Sequence, residues 1–230
     1  MKKSSVYAII TARGNSKSLP RKNVRLLSGL PLIAYSIKAA LGCKLISRCF
    51  VSTEDPEIKS ISLRYGAEVI DRPKKLSTGL SLSSDVLVHA LKTLKRMKAL
   101  PDYFALLQPT SPLRKSGHLE ECLRKFFLSH ASSAVSVVEA EHHPYKEFYL
   151  EKHYLEALFH RKYLDQPRQL LPKVFRQNGA IYISDSSLFL KKGNLFIPPV
   201  MPYFMKPEES IDIDTAIDFK LAELLINERK

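Results

Sequence analysis

A chain of 230 residues has room for one well-filled core, and a hydrophobic content of 45% excludes a disordered protein. No apolar run reaches the ~18 residues needed to cross a bilayer, and the faintly leader-like start "MKKSSVYAIITAR" ends at Arg13 without a cleavage site, so a cytoplasmic protein with no membrane partner is expected. The net charge is +13, but Lys and Arg are spread along the whole chain without a basic tract or interleaved aromatics, which argues against a nucleic-acid platform. In chain order, residues 5–10 (SVYAII) read as a strand, and residues 31–41 as a helix with Pro31 in its first turn. Residues 48–53 (RCFVST) read as a strand, 56–66 as a short helix closed by Gly66, and 67–70 as a strand. Residues 81–98 form a longer helix with an apolar stripe at Val86, Leu87, Ala90, Leu91 and Leu94. A strand at 103–108, a helix at 117–129 and a strand at 133–140 continue the rhythm. This alternation predicts an α/β fold: an open, mostly parallel sheet with helices on both faces, binding its ligand at the carboxyl ends of the strands.

The rhythm breaks at about residues 141–173, which are polar, His- and Tyr-rich and poorly periodic, and read as an excursion from the sheet. Order returns with a strand at 179–184 and the stretch PPVMPYFM. Residues 211–230 are expected to start as a strand and become a helix whose core face carries Ile217, Leu221, Leu224 and Leu225. Cys43, Cys49 and Cys122 have no metal-ligand spacing and read as reduced, partly buried thiols.

The first strand opens onto "ARGNSKSLPRKN". Gly14, Ser16 and Ser18 let the backbone approach a ligand closely, and Arg13, Lys17 and Lys22 supply long cations from one loop, which suits a triphosphate or pyrophosphate. The pattern is neither G-x-x-x-x-G-K-[ST] nor G-x-G-x-x-G, and an ordinary solvated basic loop has the same composition. Asp212 and Asp214 stand two apart in SIDIDT; on a strand they share a face and can hold Mg²⁺, while Asp214 can equally cap the helix that follows. Gln108 ends a strand and can hydrogen-bond a base or sugar, Arg168 in DQPRQLLP can fork onto a carboxylate, and Ser81–Ser84 can cap a helix or meet an anion. The adjacent His142 and His143 lack a third ligand at metal spacing.

Taken jointly and in this order, "ARGNSKSLPRKN", "DRP" before "LSLSSDVLVHAL", "LLQPTSPLR", "EHHPYK", "QPRQLLP", "NGAIYIS" and "SIDIDT" resemble the bacterial N-acylneuraminate cytidylyltransferases over nearly the whole chain. The resemblance implies a nucleotide-diphospho-sugar transferase-like fold, one cytidylyltransferase domain over residues 1–230, and a homodimer made through the excursion at about 141–173. It implies that the anomeric hydroxyl of an acidic nine-carbon sugar attacks the α-phosphorus of CTP, with magnesium assisting and pyrophosphate leaving. Carried over by position, Arg13, Lys17, Lys22 and Asn23 fall on the nucleotide loop, and Arg72, Ser81, Ser83 and Gln108 on other substrate-binding positions. Arg168 falls on an arginine treated as catalytic, together with Arg13, Lys17 and Lys22; Asp212 and Asp214 fall on the metal aspartates; Gln108, Lys146, Tyr182 and Phe196 fall on the sugar side. Ser18 stands where a Gly is usual, and Leu195 where an aromatic often precedes Phe196. The second departure leaves N-acetylneuraminic, legionaminic or another nonulosonic acid as the sugar.

Overall fold

In β1 (Val6–Thr11) successive side chains point to opposite faces, and both faces are buried: Ile9 packs in one apolar cluster, Ala8 and Ile10 in another. A strand covered on both sides belongs inside a sheet with helices above and below it, and the computed structural model places it there. The structure describes residues 4–16, 18–79 and 81–228.

After β1 come a small hairpin of β2 (Leu26–Leu27) and β3 (Leu30–Pro31), then α1 (Leu32–Leu41), β4 (Arg48–Thr53), α2 (Pro56–Arg64) and β5 (Glu68–Asp71). The chain continues through α3 (Ser83–Arg96), β6 (Tyr103–Leu107), α4 (Ser116–Leu128) and β7 (Ser133–Glu139). The excursion holds β8 (Phe148–Glu151) and β9 (Tyr154–Ala157), and the chain closes with β10 (Phe175–Asp185), α5 (Ser186–Lys192), β11 (Val200–Phe204) and α6 (Ala216–Asn227). The central sheet has seven strands in the order β11-β7-β10-β6-β1-β4-β5. It is mostly parallel, as expected; Ile10, for example, lies opposite Val51 on one side and Leu107 on the other. The exception is β10, which runs antiparallel to both β6 and β7.

The apolar stripes decide which helix covers which face. Ile33, Ile37, Ile58, Ile61, Leu119 and Leu123 place α1, α2 and α4 over the face carrying Ala8, Ile10, Val51 and Leu107. Leu87, Ala90, Leu91, Leu94 and Phe189 place α3 and α5 over the face carrying Ile9, Phe50, Phe104 and Leu106. The predicted stripe of α3 is buried at all five positions. Cys43, Cys49 and Cys122 are free thiols, all fully buried.

Two expectations fail at the carboxyl end. Residues 211–214 are not a strand; they form an extended segment outside the sheet, tied by the Ile213 N–H donating to the Thr110 carbonyl at 2.8 Å. The expected core face of α6 is also misplaced: Ile217, Leu221 and Leu224 are exposed. The helix packs instead through Phe219, Ala222 and Ile226 onto Leu19, Leu27, Leu32 and Ile213. A short helix with apolar residues on two stripes is oriented by whichever stripe its anchor presents, and here the anchor is buried Ile213 just before the helix. The N-cap of α6 is Thr215 in a reciprocal box with Asp218, so Asp214 is not the cap.

Residues 141–173 leave the sheet as expected. Strands β8 and β9 pair only with each other, and Phe148, Tyr149, Leu150, Tyr154 and Leu155 on them are exposed.

Candidate active site

The chain adds β4 and β5 on one side of β1 and then crosses back to lay β6 on the other. The connections leaving β1 and arriving at β6 use helices on opposite faces, α1 and α3, so a crevice opens between the two strand ends. It is a cavity of about 390 Å³. Its lining includes Arg13, Lys22 and Asn23 after β1, Arg72 after β5, Ser81 and Ser83 at the start of α3, Gln108 after β6, and Asp212 and Asp214 before α6. Every one of these was expected at the site from sequence. Lys17 lies outside the described residues.

The basic loop is held from behind. Asn23 donates its side-chain amide to the Arg13 carbonyl at 2.9 Å, and the Gly14 N–H donates to Glu54 Oε1 at 2.8 Å. The Gly14 amide is thus engaged by Glu54. A Cβ at Gly14 would sit 2.4 Å from Asp55 Oδ2, so glycine is required there by contact with the acidic turn. Arg21 pairs with Asp55 at 2.5 Å and also with Glu57. Arg13 Nη1 donates to the Thr78 carbonyl at 2.8 Å.

Glu54 is a residue that sequence reading passed over. Its Oε2 accepts from Arg72 Nε at 3.1 Å, Arg72 Nη2 at 2.6 Å and Ser77 Oγ at 2.8 Å. Burial pushes its pKa up, but the bonds from Gly14, Ser77 and Arg72 outweigh that and leave it below the usual carboxylate range. The sequence offers just an acid following a predicted strand, in "VSTEDPEI", with nothing local to name its partners.

The two aspartates differ. Asp214 is exposed and accepts from Lys22 Nζ at 3.1 Å, while buried Lys22 also donates to the Ile213 carbonyl at 2.5 Å. Asp212 is partly buried, and its Oδ1 is buried without a hydrogen-bond partner among the described residues. Burial, reinforced by the Asp214 charge, raises its pKa, against a bond from Thr110 and the charges of Lys22 and Arg176. The extended backbone, although not in a strand, still brings both carboxylates to the cavity wall.

Gln108 is aimed by a buried polar web. Its carbonyl accepts from Ser36 Oγ at 3.3 Å and Arg114 Nη1 at 3.2 Å, and Arg114 also donates to the Ala180 carbonyl at 2.9 Å and to Ser36 Oγ. Arg114 is fully buried, and burial pushes its pKa down to about 9. The Gln108 side chain lies over Gly179, whose φ is +74° and whose Cβ would fall 2.4 Å from Gln108 Oε1. Glycine thus serves both the left-handed bulge in β10 and the close approach.

The remaining expected residues lie elsewhere. Tyr182 is buried, with its hydroxyl donating to Gln177 Oε1 at 3.1 Å and its ring meeting Phe196 edge to face at 6.2 Å. Burial, then the Asp212 charge, pushes the Tyr182 pKa up to about 12. Lys146 donates to the Leu164 carbonyl at 2.9 Å and Arg168 to the Ala140 carbonyl at 2.7 Å, both on the excursion and both outside the cavity.

The cytidylyltransferase family model matches residues 7–198. The pseudaminic acid cytidylyltransferase of Campylobacter jejuni (subsp. jejuni serotype O:2) is 31% identical over 218 residues, covering 94% of this chain and 94% of that protein. The N-acylneuraminate cytidylyltransferase of Streptococcus agalactiae serotype V is 35% identical over 215 residues, which is 92% of this chain and 51% of that protein. This chain therefore spans about half the length of that relative. A solved CMP:2-keto-3-deoxy-manno-octonic acid synthetase complexed with CTP superposes with a TM-score of 0.74 at 17% identity, covering 99% of this chain and 100% of the other, a likeness of fold. With the crevice at the sheet's switch point and sequence identity running nearly end to end, this chain belongs to the cytidylyltransferase family, alongside the bacterial N-acylneuraminate cytidylyltransferases.

Proposed function

We propose that the protein transfers the cytidylyl group of CTP to the anomeric hydroxyl of a nonulosonic acid, releasing pyrophosphate. The observation that carries this is a single cavity gathering three cations, Arg13, Lys22 and Arg72, with Asn23, Gln108 and two carboxylates. The hydroxyl oxygen attacks the α-phosphorus, the bond from that phosphorus to the β-phosphate oxygen breaks, and the hydroxyl proton passes to a base. Charge grows on the leaving pyrophosphate, where Arg13, Lys22 and Arg72 can meet it. Gln108 offers a donor and an acceptor to base or sugar.

Asp212 and Asp214 fit a magnesium ion: the Asp212 Oδ1 atom lacks a partner among the described residues, and two hard oxygens suit a cation that keeps most of its waters. Bound there, magnesium would supply Lewis-acid neutralisation of phosphate charge. Asp212 and Asp214 would hold that ion, and Lys22 Nζ donates to the Asp214 carboxylate at 3.1 Å.

N-acetylneuraminic acid is the first reading for the sugar. Legionaminic or another nonulosonic acid is the second, favoured by Leu195 before Phe196 and by a relative named for pseudaminic acid. The test is pyrophosphate release from CTP and Mg²⁺ with N-acetylneuraminic, legionaminic and pseudaminic acids and Kdo. Release with one nonulosonic acid is expected and names the sugar. Silence across the panel from folded protein that binds CTP would replace this reading with a non-catalytic nucleotide-binding protein.

The same reading makes the protein a cytosolic homodimer, with the excursion at about 141–173 carrying Lys146 and Arg168 toward the partner's cavity. The exposed Phe148, Tyr149, Leu150, Tyr154 and Leu155 supply the apolar surface for that contact. Light scattering should give a mass of about two chains of 26.1 kDa each; a concentration-independent single-chain mass would refute the dimer.

A further inference from the structure

The peptide unit joining Arg13 to Gly14 is pinned at both ends. Its carbonyl accepts from Asn23, and its N–H donates to Glu54. The second oxygen of the same carboxylate holds two nitrogens of Arg72 and the Ser77 hydroxyl. One acid at the end of β4 thus ties together the loop after β1, the segment after β5, and the approach to α3. These segments form much of the cavity wall, yet Glu54 does not itself line it. Arg72 uses Nε and Nη2 on Glu54, and among the described residues Nη1 has no hydrogen bond, while the side chain lines the cavity.

We infer that Glu54 is a positioning residue for the nucleotide, aiming Arg72 and the Arg13–Gly14 peptide from behind without touching the ligand. The inference rests on the proposed use of this cavity for CTP. It carries a second consequence. The Gly14 amide is already spent on Glu54, so that N–H is not one the loop offers to phosphate, and the Arg13 and Lys22 side chains carry the positive charge beside it. The carboxylate is ionised at neutral pH, since its pKa is held below the usual range. A neutral isostere would face Gly14 or Arg72 with an N–H, donor against donor, at one of the two ends.

Glu54→Gln tests it by calorimetric CTP binding and by KM for each substrate. The expected result is a CTP affinity weaker by about tenfold or more, as for other residues that orient ligand-contacting groups, with the KM of the nonulosonic acid within about twofold of wild type. Glu54→Asp, which keeps the charge but falls short in reach, should recover part of the loss and serves if Glu54→Gln fails to fold. CTP binding within about twofold of wild type in both folded variants would overturn the inference, as would an equal loss for both substrates, which marks a merely structural residue. If wild-type protein binds CTP but turns over no sugar, the proposed reaction falls and the binding comparison still decides Glu54. If it binds no CTP, both fall.

Discussion

Asp212→Asn should lower kcat for CTP-dependent pyrophosphate release by about a hundredfold to a thousandfold, the loss typical when one preorganised electrostatic partner is removed. Asp212 is the carboxylate whose inner oxygen has no partner among the described residues and whose surroundings do not compensate its charge. For a carboxylate with a raised pKa the sign is clear: the charged form costs folding free energy, and the cost appears as pH rises through the ordinary carboxylate range. Removing that charge should leave the melting temperature at pH 7 unchanged or slightly higher. A carboxylate kept at a stability cost is what a functional site shows. Steady-state kinetics and a thermal melt on one preparation decide the matter. A wild-type kcat would remove Asp212 from the mechanism, and a large fall in melting temperature would assign it to the fold.

Arg114→Leu should produce the largest loss of stability, about 3 kcal/mol, from leaving buried acceptors unpaired and replacing a long side chain by a shorter one. Arg114 is 2% exposed and donates to the Gln108 and Ala180 carbonyls and to Ser36 Oγ. Removing a desolvated cation returns part of this cost, which keeps the figure near the lower end of buried-network losses. For a chain of this size the loss corresponds to a melting temperature lower by about 10 °C. Arg114→Lys should be nearly as harmful, because an ammonium cannot fork to acceptors on three elements as a guanidinium does. Since Arg114 braces the end of β6, activity should fall as well, through a raised KM where Gln108 meets substrate. A melt within about 2 °C of wild type would show that Ser36 and local relaxation satisfy those carbonyls without it.

Much of this arrangement is readable from local pattern. The strand at 48–53 coincides with β4 because the β-prone run from Cys49 to Thr53, buried on both faces, stands between polar turns. The stripe of α3 is legible for the converse reason: one face only is covered, so the 3.6-residue period shows. At the site, residues such as Arg13, Gln108 and Asp212 stand out because loops rich in charge and small residues follow predicted strands, and sheets of this class place their crevice there.

The misses share a cause. The stretch 211–214 alternates like a strand, but no sheet edge receives it, and the Thr110 carbonyl and the pocket around Ile213 hold it as an extended strap. Two apolar stripes on α6 are equivalent in sequence, and only docking of Ile213 chooses between them. Glu54 is anonymous along the chain because its partners, Gly14, Arg72 and Ser77, come from three separate segments. Arg114 looks like a surface arginine until β10 arrives antiparallel beside β6 and encloses it.

Sequence by itself determined the layer order, the covered sheet and the residue types at the cavity, because burial on one or both faces prints a period that needs no partner to be read. Tertiary structure alone decided the direction of β10, the docking face of α6, and the roles of Glu54 and Arg114. Each of these depends on which distant segment fills the space beside it, and hydrogen bonds between segments far apart along the chain leave no local trace.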